Sequence, residues 1–574
     1  MNRPRTLAPV TGILVLIVLL LGCARRAPMP TPVPTRTPQA QARAPRVIAR
    51  PVPTNTPRAV SGASPVARAT PTPTRLPRAT VTATHRQGGE WPGSEWVTTT
   101  PEEQGMDSAR LAAMIDEIRR AGYNMHSLTI VRHGAIVADA YLYPYQPGIK
   151  HSLYSSTKSI VSALVGIAIA QGSLPGVQAT LGQLFPEQAQ VNADPVKRGI
   201  TLEQLLTMTS GLDWPLGSSA ADDATLQMET SADWGQYILN RPVADPPGTV
   251  WNYSNGGAHL TSIIVEHTTG ANTLEFARAN LFEPIGIQDV AWSVDPQGTN
   301  LGMGGLRLTP HDMARIGYLY LHQGEWNGQQ IVPSAWVTTS TVPHVHSTWG
   351  WDYGYLWWIP LADTYAAFGS GDQFLIVVPK QGLVVVVTAG IVTDDDNSIP
   401  IKLLQNYILP AVQSNGPLPP NPNAQAQLSD EIAAAAAAPP PSPVAPPGDT
   451  ARVISGKTFT LTDNPLGWQA LAFTTPGGNE ARLTLTANGQ AVDLRVGLDG
   501  DYRLTDGIQS LGNDYFDGPI AARGTWQDEH TLALELQPLG WADRYNTTLA
   551  WQGGRVTVTV HSLIDGTDIE MEGR

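Results

Sequence analysis

His151-Ser-Leu-Tyr-Ser155-Ser-Thr-Lys158-Ser159, continuing as Ile160-Val-Ser-Ala-Leu-Val-Gly-Ile-Ala-Ile-Ala170, places a serine and a lysine three residues apart at the mouth of an apolar run. The run is apolar nearly all round and stops at Gly172, as a core helix does. Residues three apart on a helix share a face, so the Lys158 ammonium is expected one turn above the Ser155 hydroxyl. The helix N-terminus offers free N–H groups and a positive dipole end to a developing oxyanion. The chain has six lysines (150, 158, 197, 380, 402 and 457), and only Lys158 has a serine three residues before it.

A second stretch, Pro246-Pro-Gly-Thr-Val-Trp-Asn-Tyr253-Ser254-Asn255, contains the one Tyr-x-Asn of the chain. A phenol with a pKa of about 10 becomes a base near neutrality when an ammonium beside it favours the phenolate. Lys158 is the expected cation. The Asn255 carboxamide, with donors and an acceptor, can hold that lysine or a substrate amide.

Together, Ser155-x-x-Lys158 and Tyr253-x-Asn255 resemble the serine β-lactamase and penicillin-binding-protein superfamily, in its branch of class C β-lactamases, D-alanyl-D-alanine carboxypeptidases and esterases. Thr201-Leu-Glu-Gln-Leu-Leu-Thr-Met-Thr-Ser-Gly-Leu212, Arg307-Leu-Thr-Pro-His-Asp-Met-Ala314 and Leu319-Tyr-Leu-His-Gln-Gly-Glu-Trp-Asn-Gly328 resemble further segments of the group. The resemblance covers residues 91–413. It implies an α/β (α+β) domain, an antiparallel sheet flanked by helices with an additional all-helical region. It also implies acyl transfer through a covalent serine ester, with Ser155 as nucleophile, Lys158 and Tyr253 sharing the base role, and no metal or organic cofactor. Which of Lys158 and Tyr253 is the first base stays open, because the two titrate as a coupled pair.

The third element of the family, Lys-Thr-Gly or His-x-Gly on an edge strand, is where the chain departs. There is no Lys-Thr-Gly, and His322-Gln-Gly324 lies at a helix end. The corresponding segment is Ala366-Ala-Phe-Gly369-Ser370-Gly371-Asp372-Gln373, which resembles the glycine-rich version of aminohexanoate-oligomer hydrolases and related esterases. Aligning Gly369 with the motif glycine makes the backbone N–H of Ser370 the partner of the Ser155 N–H in an oxyanion hole; a shift to Gly371 and Asp372 stays open. The missing lysine or histidine would bind a carboxylate, so β-lactams and peptide ends are disfavoured as substrates. Met208, where relatives carry histidine, leans the same way, towards an amide- or ester-hydrolase acting on a small molecule or peptide. A peptidoglycan carboxypeptidase and a non-catalytic wall-binding protein are the alternatives. Trp351, Trp357 and Trp358 are candidates for a cleft wall or for core packing. His151 is expected in a polar cap contact.

Outside this domain, Arg3 and Arg5 precede an apolar run too short to span a bilayer, which leads into Leu20-Leu21-Gly22-Cys23. Cys23 is the sole cysteine and its setting resembles a bacterial lipobox, so residues 1–23 read as a lipoprotein signal and the chain as lipid-anchored and extracytoplasmic. Residues 24–90, rich in Pro, Thr and Arg, read as an extended tether. The thirteen arginines before residue 90 meet no acid there, so with −13 for the whole chain the remainder carries about −26. Nothing in this pattern suggests nucleic acid. Residues 414–450 read as a Pro/Ala-rich linker, and 451–574, with alternating segments such as Arg555-Val-Thr-Val-Thr-Val560, as an antiparallel, lipocalin-like β barrel or a sandwich. In that domain Trp468, Trp526 and Trp541 are expected in the core, with lining of a ligand cavity as the alternative.

Overall fold

The computed structural model describes residues 91–574 apart from 218–220, 392–397, 445, 509–517 and 565. The leader, Cys23 and the tether lie outside the described residues. Among the described residues no helix is long and apolar enough to cross a membrane.

A nine-stranded sheet organises the first domain. Its order runs Val97–Thr98, Ala135–Tyr141, Met125–Arg132, Leu383–Ala389, Gln373–Val378, Thr364–Gly369, Trp358–Leu361, Asp352–Tyr353 and Val345–His346. Neighbours are antiparallel except the first pair. The central strands are buried along their whole length because both faces are covered. Side chains alternate between faces with period two: Val384 and Val386 join the cluster that holds the Ser155 helix, while Leu383, Val385 and Val387 pack with Leu111, Met114, Ile115 and Ile118 of the helix Ser108–Ala121. That helix is bounded by Asp107, which accepts from the Ala109 N–H, and by Gly122 in the left-handed region.

Residues 422–436, expected to be linker, form a helix. Asn421 caps it by accepting from the Ala424 N–H, and Pro422 opens it. Leu428 and Ala435 pack on the outer face of the sheet, and Glu431 pairs with Arg119. A run of alanines is compositionally simple yet has the best helix propensity, and a sheet face lay within its reach.

The C-terminal strands, from Thr458–Thr460 to Asp568–Gly573, follow one another in a nearly closed barrel, apart from Arg503–Ile508, which lies off that path and pairs with Gly518–Trp526. The first and last meet through reciprocal Thr460–Arg574 backbone bonds. Phe473, Leu483, Leu494, Val496, Leu534 and Val558 fill the interior together with Trp468 and Trp551. Trp468 is thus a buried core residue, as expected, while Trp526 and Trp541 are partly buried and pack against that core.

The barrel packs against the first domain through Tyr145, Tyr502, Ala521 and Leu539. Beside this cluster, His126 Nδ1 lies 2.9 Å from His151 Nε2, and His151 Nδ1 faces the Ser152 carbonyl at 2.9 Å. His151 thus pairs with a second histidine instead of capping the helix. The carbonyl fixes the His151 proton on Nδ1, so Nε2 accepts from His126. Burial holds His126 well below the ordinary histidine value and lowers His151 to about 4. Both are neutral in the folded state and take up protons on unfolding below about 6.5, so stability is lost as pH falls through that range. The His151 share is about 2 kcal/mol between pH 7 and 5. Urea midpoints of wild type and His151→Gln at those two pH values should show the variant with the flatter dependence; parallel slopes would count against this linkage.

Candidate active site

The turn Tyr154–Ser156 leads directly into the helix Thr157–Ala170, nearly all of which is buried. Ser155 stands at its mouth and Lys158 in its first turn, as the spacing predicts. Lys158 is almost fully buried. Its Nζ lies 2.8 Å from Ser155 Oγ, 2.9 Å from Asn255 Oδ1 and 2.8 Å from the Met303 carbonyl. Desolvation drops the Lys158 pKa well below the lysine value of 10.5. The cation expected to favour a Tyr253 phenolate is therefore the form this site opposes.

Asn255 begins the helix Asn255–Thr269, whose cap Ser254 accepts from the Gly257 N–H at 2.9 Å. Its carboxamide is held at both ends: Oδ1 accepts from Lys158, and Nδ2 donates to Thr225 Oγ1 at 3.1 Å. Trp214 Nε1 donates to the same hydroxyl at 3.3 Å. A Cβ on Gly256 would come within 2.2 Å of the Trp214 ring, so the Tyr-x-Asn-Gly turn admits no side chain there. Met208 lies beneath, with its sulfur accepting from the Ser254 N–H.

Tyr253 is buried, with its ring centroid 4.9 Å from Lys158 Nζ. Trp349 lies 4.7 Å from it, Trp251 6.2 Å and Trp358 6.3 Å, and Trp349 stacks on Trp358 at 5.5 Å. Of the three tryptophans proposed for a cleft wall, Trp358 and Trp351 join this group. Trp357 instead packs in the core against Tyr320 and Tyr365.

The strand Thr364–Gly369 runs beside the turn that carries Ser155. A Cβ on Gly369 would lie 2.2 Å from the Leu153 carbonyl and 3.0 Å from the backbone nitrogens of Ser155 and Ser156. One on Gly371 would instead meet Ala542. Gly369 is thus the glycine against the backbone of Ser155, and Ser370 follows it in the turn. Ser156 Oγ donates to the Gln373 carbonyl at 3.0 Å, tying turn to strand. The fully buried Gln373 side chain donates to the carbonyls of Ser370, Gly371 and Ala389 and accepts from the Ala389 N–H. Phe368, at the position before the glycine, stacks on Phe374 at 4.6 Å. His322 packs against Trp91 and Tyr318, at a helix end. Among the described residues no group of His, Asp and Glu is arranged to hold a metal ion.

Met303, Thr225, Trp349 and Gln373 escaped the sequence reading. Met303 acts through a carbonyl that every residue has. Gln373 could have been noticed as a lone glutamine opening an apolar strand.

The chain is 25% identical over 223 residues to a 6-aminohexanoate-dimer hydrolase of Paenarthrobacter ureafaciens, covering 36% of this chain and 55% of that protein. It is 28% identical over 154 residues to a lovastatin esterase of Penicillium rubens, covering 24% and 38%. It therefore spans about half or less of these relatives. A solved structure, the putative 6-aminohexanoate-dimer hydrolase from Bacillus anthracis, superposes with a TM-score of 0.47 at 21% identity, over 58% of this chain and 90% of that one. The Beta-lactamase family model matches residues 102–401, more than half of the sequence and the whole of the Ser155, Lys158, Tyr253 and Asn255 constellation, so the chain belongs to the β-lactamase family.

Proposed function

We propose that the protein hydrolyses an amide or ester through an acyl-Ser155 intermediate, with Lys158 as the first base. The observation that carries this reading is the triple contact of Lys158 Nζ. A neutral amine has two N–H groups and one lone pair. The Met303 carbonyl and Asn255 Oδ1 can only accept, so they take the two N–H groups. The lone pair is left pointing at the Ser155 hydroxyl.

In acylation, Ser155 Oγ attacks the carbonyl carbon while its proton passes to Lys158 Nζ. The oxyanion is met by the N–H groups of Ser155 and Ser370. As the tetrahedral species collapses, the Tyr253 hydroxyl gives its proton to the leaving group and regains one from Lys158. Water then attacks the ester, losing its proton along the same path, and the acid departs with Ser155 restored. Base and oxyanion contributions of roughly two to four powers of ten each make a useful enzyme.

Substrate class is read from the surroundings. Ala367 and Phe368 stand where the resemblance implies a cation, so this strand offers no charge to a substrate carboxylate. The rings of Trp349, Trp351, Trp358 and Phe368 favour an apolar acyl or leaving group instead. The lipobox-like Cys23 and the basic tether support placement outside the cytoplasm on a lipid anchor, which mass spectrometry of the mature N-terminus tests directly.

Incubation with p-nitrophenyl butyrate should release p-nitrophenol and leave a butyryl mass on the Ser155 peptide of quenched samples. Tyr253→Phe should lower kcat by about 10²- to 10⁴-fold. Benzylpenicillin should acylate Ser155 poorly. Turnover no higher than that of Ser155→Ala would argue for a binding protein that retains the fold, and rapid penicillin acylation for a carboxypeptidase.

A further inference from the structure

We infer that residues 539–544 of the C-terminal barrel form a positioning element for the nucleophile, acting through Tyr154; this rests on the acyl-Ser155 reading above. Tyr154 immediately precedes Ser155 and has φ +46°. A bulky side chain holds that left-handed backbone only where its surroundings over-determine it.

Those surroundings are the barrel loop. The Tyr154 hydroxyl donates to Asp543 Oδ2 at 2.9 Å and accepts from the Ala542 N–H at 3.1 Å. Two residues before the turn, the Ser152 N–H donates to the Gly540 carbonyl at 2.7 Å. On the other side of Ser155, Ala542 lies so close to the third-motif turn that a Cβ on Gly371 would be 2.6 Å from its methyl. A Cβ on Gly390 would be 2.3 Å from its carbonyl. Ser152 also pairs with Arg307, whose guanidinium lies 5.1 Å from the Trp541 ring. One short loop thus grips both segments whose N–H groups are assigned to the oxyanion.

The loop is itself firmly seated. Leu539 is fully buried in the interdomain cluster. The Trp541 carbonyl accepts from Tyr145 at 3.2 Å, and Gly540, at φ +86°, sits where a Cβ would strike the Lys150 carbonyl. The domains are also joined by contacts that involve neither Tyr154 nor residues 540–544, for example that of Tyr143 with Asp501. Contacts at Tyr154 are therefore not needed merely to hold them together.

The test uses the full chain and p-nitrophenyl butyrate. Tyr154→Phe and Asp543→Ala should each lower kcat about ten- to hundredfold while KM stays within about threefold, since misplacement of a reacting group by about an ångström costs that much. The double variant should be no slower than the slower single, because both break the Tyr154–Asp543 hydrogen bond. Asp543→Asn, which keeps an acceptor oxygen, should recover most of kcat. Tyr143→Phe, which breaks an interdomain hydrogen bond that does not involve Tyr154, Ala542 or Asp543, should leave kcat unchanged, and thermal midpoints should not follow kcat. Tyr154→Phe and Asp543→Ala turning over like wild type while Ser155→Ala is inactive would overturn the positioning role and leave the acyl-serine reading intact. A fall in kcat that Tyr143→Phe shares, or that tracks the thermal midpoint, would also overturn it. Absence of any Ser155-dependent turnover in wild type would sink both. Should Asp543→Ala fail to fold, Tyr154→Phe decides by itself.

Discussion

Lys158→Met should lower kcat for ester hydrolysis by about three to four powers of ten, with near-ultraviolet circular dichroism unchanged. Methionine matches the length of the lysine stem but has no lone pair strong enough to take the Ser155 proton. The fold has little reason to suffer. Burial of the amine costs free energy that methionine does not incur, while the Met303 carbonyl and Asn255 Oδ1 lose a donor, at about 1–3 kcal/mol each. Lys158→Arg should be equally inactive, because a guanidinium does not deprotonate in proteins and so cannot act as a base. Ser155→Ala combined with Lys158→Met should be no worse than Ser155→Ala, as the two residues act as one unit.

The pH dependence follows from the same geometry. Protonated Lys158 has no lone pair for the serine, so kcat/KM should fall as pH drops through the Lys158 pKa, which burial has moved well below 10.5. The limb should fall below the ordinary lysine range and vanish from the residual activity of Lys158→Met. A Lys158→Met enzyme retaining a tenth of wild-type kcat would remove Lys158 from the chemistry and return the base role to Tyr253.

Gly369→Ala should cost about 10²- to 10³-fold in kcat, the loss that follows removal of one oxyanion donor. The added Cβ would sit 2.2 Å from the Leu153 carbonyl and 3.0 Å from the nitrogens of Ser155 and Ser156. All three are backbone atoms, which cannot swing aside as a side chain would. Either the strand Thr364–Gly369 or the nucleophile turn must retreat, and the N–H groups of Ser155 and Ser370 then no longer converge. Steady-state kinetics beside a thermal melt separate the two effects, and the kinetic loss should exceed what the melt explains. A kcat within about threefold of wild type would exclude the Gly369 register of the oxyanion hole.

Much of this site is local in origin. Ser155 and Lys158 meet because helical residues three apart share a face, and the apolar run behind them could only be a buried helix. Gly369 likewise lies where no side chain fits against the backbone of the Ser155 turn. These features depend on a handful of adjacent residues and elementary stereochemistry.

The tertiary structure decided what depends on partners far along the chain. The Lys158 amine is desolvated by the packed helices around it, which no count of nearby charges reveals, and this favours the neutral amine on which the proposed first proton transfer depends. Its third acceptor, the Met303 carbonyl, carries no sequence signature. The alanine-rich stretch before the barrel is simple in composition, yet it folds as a helix because a sheet face offered burial. Tyr154 and Asp543, 389 residues apart, are joined only once both domains have folded. Short-range stereochemistry thus set the Ser155–Lys158 pair and its helix, whereas desolvation and long-range packing set the surroundings of the Lys158 amine and the distant contacts around the Ser155 turn.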